Sequence, residues 1–279
     1  MKESSKIWTV GEILKFSWGY LQDKTELASS KLDSELLLGE VLGMDRVHLF
    51  MNLDRPVSVE EREQFKSYLK RRIDGEPIAY ITVRKNFWTS SFKVTRDTLI
   101  PRADTETVLE LALEYVDYSR ESFSCLDIGT GSGCLIISLV KTIKEKLDKI
   151  MRSRIDSELQ DSENTSKLDS TVVEKDGSEE VDEVETKKEE KDISLYFEAW
   201  DIMDVALQVA QENARQIVPS VDINFLVRDV LSLPDIETKF DLIISNPPYI
   251  EPGDPNVDSS TKYEPSVALF ASDLYFIKK

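Results

Sequence analysis

Cys125-Leu126-Asp127-Ile128-Gly129-Thr130-Gly131-Ser132-Gly133-Cys134 is the stretch that decides the fold of this chain. Cys125-Leu126 completes an apolar strand, Asp127 to Gly133 forms a turn, and Cys134 to Val140 opens a helix. Glycines at alternate positions let the backbone approach a ligand closely. The amino terminus of the helix, with its free N–H groups, lies beneath them. A plain tight turn is the other reading; the strand before and the helix after argue against it.

The spacing G-x-G-x-G departs from the dinucleotide fingerprint G-x-G-x-x-G, which disfavours NAD. Asp127, directly before the glycines, suits a cationic or amine-bearing cofactor better than a pyrophosphate. S-adenosylmethionine carries both an ammonium and a sulfonium.

The strands that follow support an open α/β sheet. Leu195 to Trp200 reads as the second strand, with Asp201 at its tip. Asp201 lies 74 residues past Asp127. Without roughly 50 inserted residues the spacing is about 20, that at which an acidic residue reaches ribose hydroxyls. Asp201 also suits the cap of the next helix, Asp204 to Ile217, and one role does not exclude the other. Val221 to Val227 is the third strand, with Asp229 and Val230 at its carboxyl end. Asp229 could accept from an adenine amino group with Val230 packing on the ring, or be an ordinary loop residue.

Phe240 to Ser245 is the fourth strand, and Asn246-Pro247-Pro248-Tyr249 sits just past it. Ligands of open α/β sheets bind at that end. The residue before a proline is held extended, which leaves the Asn246 carbonyl oxygen free to accept. Neither proline has an N–H and both have fixed φ, so their carbonyls stay available in a stiff loop. Two fixed acceptors can hold both protons of a planar NH2 group, and Tyr249 offers a flat face. An amide nitrogen is a poor nucleophile because its lone pair is delocalised. Holding its protons toward acceptors turns the lone pair toward an electrophile, which is orientation chemistry. Alone, the tetrapeptide fits equally a turn that ends a strand.

Composition narrows the class. The chain has 279 residues, 41% of them hydrophobic, and a net charge of -18. Residues 141–192 hold 17 acidic and 11 basic residues, so the remainder is itself acidic. That argues against direct nucleic-acid binding, which needs clustered Lys and Arg. No apolar run approaches the roughly 20 residues of a membrane helix. Cys125 and Cys134 lack metal spacing and read as reduced core residues of an intracellular protein. His48 is the only histidine, which disfavours a His-based metal site. Met1 to Val10 is a weak transit peptide at best, so cytoplasm and mitochondrion both stay open.

Upstream, residues 7–80 read as a small helical bundle. Ile7, Val10, Ile13, Leu14 and Leu21 fall near a 3.6 period. Asp33 or Ser34 could cap a second helix that Gly43 stops. A third helix spans Ser58 to Ile73, with Glu61 three residues past Ser58 in capping-box spacing. Residues 86–100 suggest a short β-hairpin. Ile100-Pro101-Arg102-Ala103-Asp104-Thr105-Glu106 leads into an amphipathic helix, where Arg102 beside Asp104 and Glu106 could be a self-paired charge cluster. Residues 143–192 have no aromatic residue and no proline. They read as an extension of the preceding helix followed by a disordered acidic insert.

Together these residues resemble the HemK/PrmC family, which methylates the side-chain amide nitrogen of a glutamine in peptide chain release factors. The likeness spans most of the chain except the acidic insert. It rests on Ile100 to Glu106, on Asp127 to Gly133, on Asn246 to Tyr249 and on Tyr263-Glu264-Pro265. Arg72-x-x-Gly75-Glu76-Pro77 is similar to the family's linker. The Pro-Arg-x-Asp-Thr-Glu element after a helical bundle is what separates this family from nucleic-acid adenine methyltransferases.

The resemblance implies a class I S-adenosylmethionine-dependent methyltransferase, a Rossmann-like α/β sheet preceded by the bundle. The implied domains are 1–83 for substrate docking, 84–106 as hairpin and linker, and 107–279 for methyl transfer, with 143–192 inserted. Asp127, Gly129, Thr130, Gly131, Ser132 and Gly133 would hold the methionine part of the cofactor. Asp201 would hold the ribose, with Asp229 and Val230 near the adenine and Asn246 also touching the cofactor. Asn246 and Pro247 would bind the target amide, with Pro248 and Tyr249 shaping its slot. The partner would be a release factor presenting its Gly-Gly-Gln loop, with no metal and no membrane. Val83 stands where the family usually has glycine, Ala103 where it often has proline, and Val230 where an aromatic is frequent. The family continues past the Tyr-Glu-Pro segment. The expected sheet is therefore incomplete at its carboxyl-terminal edge, which leaves a non-catalytic remnant that binds cofactor or release factor as a further alternative.

Overall fold

The computed structural model describes residues 7–25, 27–168, 193–232 and 238–271. Helices come first: α1 (Val10–Lys24), α2 (Ser30–Leu42), α3 (Arg46–Met51), α4 (Val59–Ile73) and α5 (Ile78–Ile81). Capping boxes start two of them, Thr9 with Glu12 at α1 and Ser58 with Glu61 at α4. Val10, Ile13, Leu21, Leu37, Leu38, Leu49, Phe65 and Leu69 are buried together as the core of this bundle.

The expected cap of the second helix is corrected. The helix begins at Ser30, and Asp33 sits in its first turn. There Asp33 accepts from the Arg72 guanidinium at 2.7 Å, a long-range partner that no local pattern announces.

A hairpin follows, β1 (Arg84–Phe87) paired antiparallel with β2 (Ser90–Lys93). Val83 precedes it at φ 55° and Trp88 lies in its turn at φ 53°. The α/β body then runs α6 (Asp104–Glu114), β3 (Ser122–Ile128), α7 (Cys134–Leu168), β4 (Ser194–Asp201), α8 (Asp204–Ile217), β5 (Asn224–Val227) and β6 (Leu242–Ser245). A 3-10 turn (Ser259–Tyr263) and α9 (Ser266–Leu269) come last.

The four strands are parallel in the order β5-β4-β3-β6. The chain steps outward from β3 to β4 and β5, then returns to β6 on the other side of β3. That reversal makes a crevice at the carboxyl ends of β3 and β6, where such sheets bind ligands. The interior strand β3 and the start of α7 supply much of the core through Phe123, Cys125, Ile136, Leu139, Val140 and Ile143, all buried. Both cysteines are free and buried, and burial pushes the Cys134 thiol up to about 12.

Of the stretch 143–192, whose start reads in sequence as a helix extension and whose remainder reads as a disordered insert, the residues as far as Leu168 are helical. Its early residues include Ile143, fully buried on the sheet, so α7 grows out of a packed helix rather than from a loop. The remainder of that stretch, the amino-terminal start and Ser272 to Lys279 lie outside the described residues. Among the described residues no helix is long and apolar enough to cross a membrane.

Candidate active site

Register places the site. Ile128 pairs with Trp200 on one side of β3 and with Ser245 on the other, and Asp201 pairs with Val227. Gly129, Asp201, Arg228 and Asn246 therefore all stand at one end of the sheet, at or one residue past the strand ends. Two bonds lock adjacent ends together. Gly129 N donates to Trp200 O at 2.8 Å, and Ser245 Oγ donates to Ile128 O at 2.7 Å.

A cavity of about 260 Å3 opens at this end. Among its lining residues are Gly129, Gly131, Asp201, Asp229, Val230, Asn246, Pro247 and Pro248. A smaller pocket of about 40 Å3 adjoins it, bounded by Asp127, Thr130, Ser132, Thr105 and again Gly129, Gly131 and Asn246. Asp127 and Asn246, 119 positions apart in sequence, thus border one small space.

The glycine loop is shaped for close approach. Gly129 and Gly131 have φ of 74° and 54°, and a Cβ on either would meet no other heavy atom within 4 Å. Their backbone therefore faces open space. Gly133 differs: a Cβ there would lie 2.6 Å from Ile137 Cδ1 and 3.1 Å from Ala210 Cβ. It borders neither cavity and serves the packing of α7 against α8.

Asp127 is buried and accepts from the Thr130 hydroxyl at 2.7 Å. Burial pushes its carboxyl up to about 7, and the charge of nearby Asp201 adds to this while the Thr130 bond opposes it. Asp201 accepts from Gly131 N and Met203 N, both at 2.9 Å. The first bond fixes the glycine loop across the strand gap. The second makes a turn before α8, whose own cap residue is Met203, so Asp201 is no helix cap. Asp229 accepts from Ser232 Oγ at 2.6 Å and Leu231 N at 3.0 Å. Those bonds, the Ser232 hydroxyl first, hold its carboxyl below the usual carboxylate range.

Asn246 donates from Nδ2 to Thr105 Oγ1 at 3.0 Å. Tyr249 is exposed and borders neither cavity.

The structure also recruits residues to which sequence reasoning assigned no role. Leu99 borders both cavities. Pro265, Val267, Ala268 and Phe270 form a wall of the larger one. Glu264, buried, accepts from Arg102 Nη2 at 2.5 Å and from Ile100 N at 3.1 Å. That bond corrects the expected self-paired cluster, because Arg102 reaches 162 residues along the chain to Glu264 instead. Glu106 accepts from Trp88 N at 2.9 Å. The Ile100–Glu106 and Tyr263–Pro265 segments were visible as motifs; that one clasps the other was not.

Comparison with known proteins gives matches to both parts of the chain. The profile of the PrmC N-terminal domain matches residues 12–82, the helical bundle. That of the RMKL-like methyltransferase domain matches residues 131–255, from the glycine loop past the Asn-Pro-Pro corner. The release factor glutamine methyltransferase of Chlorobaculum tepidum is 31% identical over 95% of this chain and 76% of its own length. The chain belongs to the release factor glutamine methyltransferase family. Its similarity to the family enzyme of Francisella tularensis is 33% over 88% of the chain and 69% of that protein. With the Leptospira interrogans enzyme it is 33% over 92% and 74%. The two profile matches follow one another along this family member, helical bundle first and methyltransferase domain second.

Proposed function

We propose that this chain transfers a methyl group from S-adenosylmethionine to the side-chain amide nitrogen of the glutamine in a release factor's Gly-Gly-Gln loop. One observation carries the reading: the glycine loop and the Asn-Pro-Pro corner border a single cavity at the ends of neighbouring strands.

The residues present fit the cofactor. Gly129 and Gly131 offer bare backbone to its methionine part, with the buried Asp127 carboxyl behind them to balance positive charge. Asp201 suits ribose hydroxyls, since each carboxylate oxygen keeps a second lone pair after its backbone bond. Asp229 and Val230 suit the adenine. When bound, the cofactor supplies an electrophilic methyl on a positively charged sulfur.

The chain's own contribution is orientation. Asn246 Oδ1 and the Pro247 carbonyl accept the two protons of the target NH2. The nitrogen lone pair is thereby turned out of conjugation, and proximity supplies the rate. Methylation makes that nitrogen strongly acidic, so its surplus proton passes to water without a dedicated base. The bundle formed by α1 to α5 provides the docking surface for the release factor.

Mass spectrometry of a release factor after incubation with this protein and cofactor tests the reading. One added methyl on the Gly-Gly-Gln glutamine is expected. Asn246→Ala is expected to abolish transfer while leaving cofactor affinity largely intact. Label that enters DNA or RNA and never the release factor overturns the proposal.

A further inference from the structure

An asparagine amide is nearly symmetric in shape and opposite in chemistry at its two ends. Its NH2 only donates and its carbonyl only accepts. Its terminal torsion is broad and roughly two-fold, so an unpartnered amide turns over readily. A methyl acceptor that brings an NH2 group tolerates one of those two orientations and is repelled by the other. Nothing within the Asn246-Pro247-Pro248 loop itself selects between them.

Thr105 does. Its Oγ1 accepts from Asn246 Nδ2 at 3.0 Å. Thr105 is 4% exposed, lies in the first turn of α6 and borders the small pocket that Asn246 also borders. Asn246, in turn, reaches the larger cavity, which Thr105 does not. With Nδ2 committed to Thr105, Oδ1 is the end left for a ligand, and among the described residues no protein group donates to it. We infer that Thr105 is a positioning residue of the methyl-acceptor site, holding Asn246 with its carbonyl oxygen presented to the target amide. The inference rests on the reaction proposed above and adds a residue of α6 to it.

The hydroxyl is worth one neutral hydrogen bond. Its loss frees the amide to turn its donor end toward an NH2 target, which lowers kcat about two- to tenfold. The cofactor's binding groups stay in place. The experiment compares Thr105→Val, which keeps the shape without the hydroxyl, with Thr105→Ser, which keeps the hydroxyl. Thr105→Ala replaces the valine variant if that one fails to fold. Readouts are kcat and KM for the release factor, the cofactor Kd by calorimetry, and the Asn246 side-chain NH2 signals by 15N NMR of the protein alone.

The expected result is a lower kcat in the valine variant with an unchanged cofactor Kd, rescue by serine, and Asn246 NH2 protons protected from exchange only where the hydroxyl is present. A valine variant with wild-type kcat and protection overturns the inference. So does a parallel loss of kcat and cofactor affinity, or a serine variant as poor as valine. If the wild type never methylates the release factor, the reaction reading falls. The NH2 protection still decides the bond: present in wild type and serine and absent in valine upholds it, and any other pattern refutes it.

Discussion

Replacing Glu264 by alanine unlocks the wall of the cavity, and the structure sets the size of the effect. The Glu264 side chain is 1% exposed and holds two donors, Arg102 Nη2 at 2.5 Å and Ile100 N at 3.1 Å. Ile100 is itself buried, so its N–H loses its acceptor without gaining water, at about 1–3 kcal/mol. Arg102 is 39% exposed and turns to solvent, so its share is smaller, about 0.5–1 kcal/mol. Together these give a loss of about 1.5–4 kcal/mol, which moves a urea midpoint by roughly 1–2 M at an ordinary slope. Pro265, Val267, Ala268 and Phe270 follow directly along the chain and line the cavity. Cofactor binding therefore weakens along with stability. Glu264→Gln keeps an acceptor for Ile100 N and loses less of both. Urea denaturation and calorimetry on the three proteins check this. An alanine variant within about 0.5 kcal/mol of wild type, or one with unaltered cofactor affinity, refutes the reasoning.

Three further outcomes follow from other sites. Val83 is 45% exposed at φ 55°, a region that costs an L-residue roughly 1–2 kcal/mol. Glycine there relieves that strain, less about 0.5–1 kcal/mol of its own chain entropy. Val83→Gly thus raises Tm, and an equal or lower Tm counts against the argument. Asp127, raised from 3.8 to about 7 by burial, takes up a proton on folding between those values. Stability of the unliganded protein therefore falls as pH rises from about 4 to about 7. Asp127→Asn flattens that decline, so equal pH slopes in thermal melts would contradict the assignment. Glu76 is held at about 2, from 4.5, chiefly by its bonds to Arg71, with Arg96 adding to them. Its contribution is complete above pH 4.5 and fades as pH falls toward 2. Glu76→Gln costs about 2–3 kcal/mol at pH 7 and reduces acid sensitivity in that window, as denaturant midpoints at pH 3 and 7 would measure.

Much of this was legible because it is local. A strand, three glycines at alternate positions and an opening helix announce β3, its turn and α7 without reference to anything distant. The capping-box spacing from Ser58 to Glu61 does the same for α4. The Asn-Pro-Pro corner declares its stiffness through proline's fixed φ. Even the glycine expected at Val83 has its reason in the backbone, which takes a left-handed turn there whatever the residue.

What folding alone decided is pairing at a distance. Arg102 has acidic neighbours at 104 and 106, and a reader of the sequence pairs it with them. The buried Glu264 carboxylate captures it instead, because a buried charge needs its partner far more than solvated surface carboxylates do. Asp33 and Arg72 met in the same way. Thr105 carried no signal of its own, since a hydroxyl in a helix's first turn is commonplace. Only the docking of α6 beside β6 brings it within a hydrogen bond of Asn246, and that closeness, not residue type, gives it its place in the site.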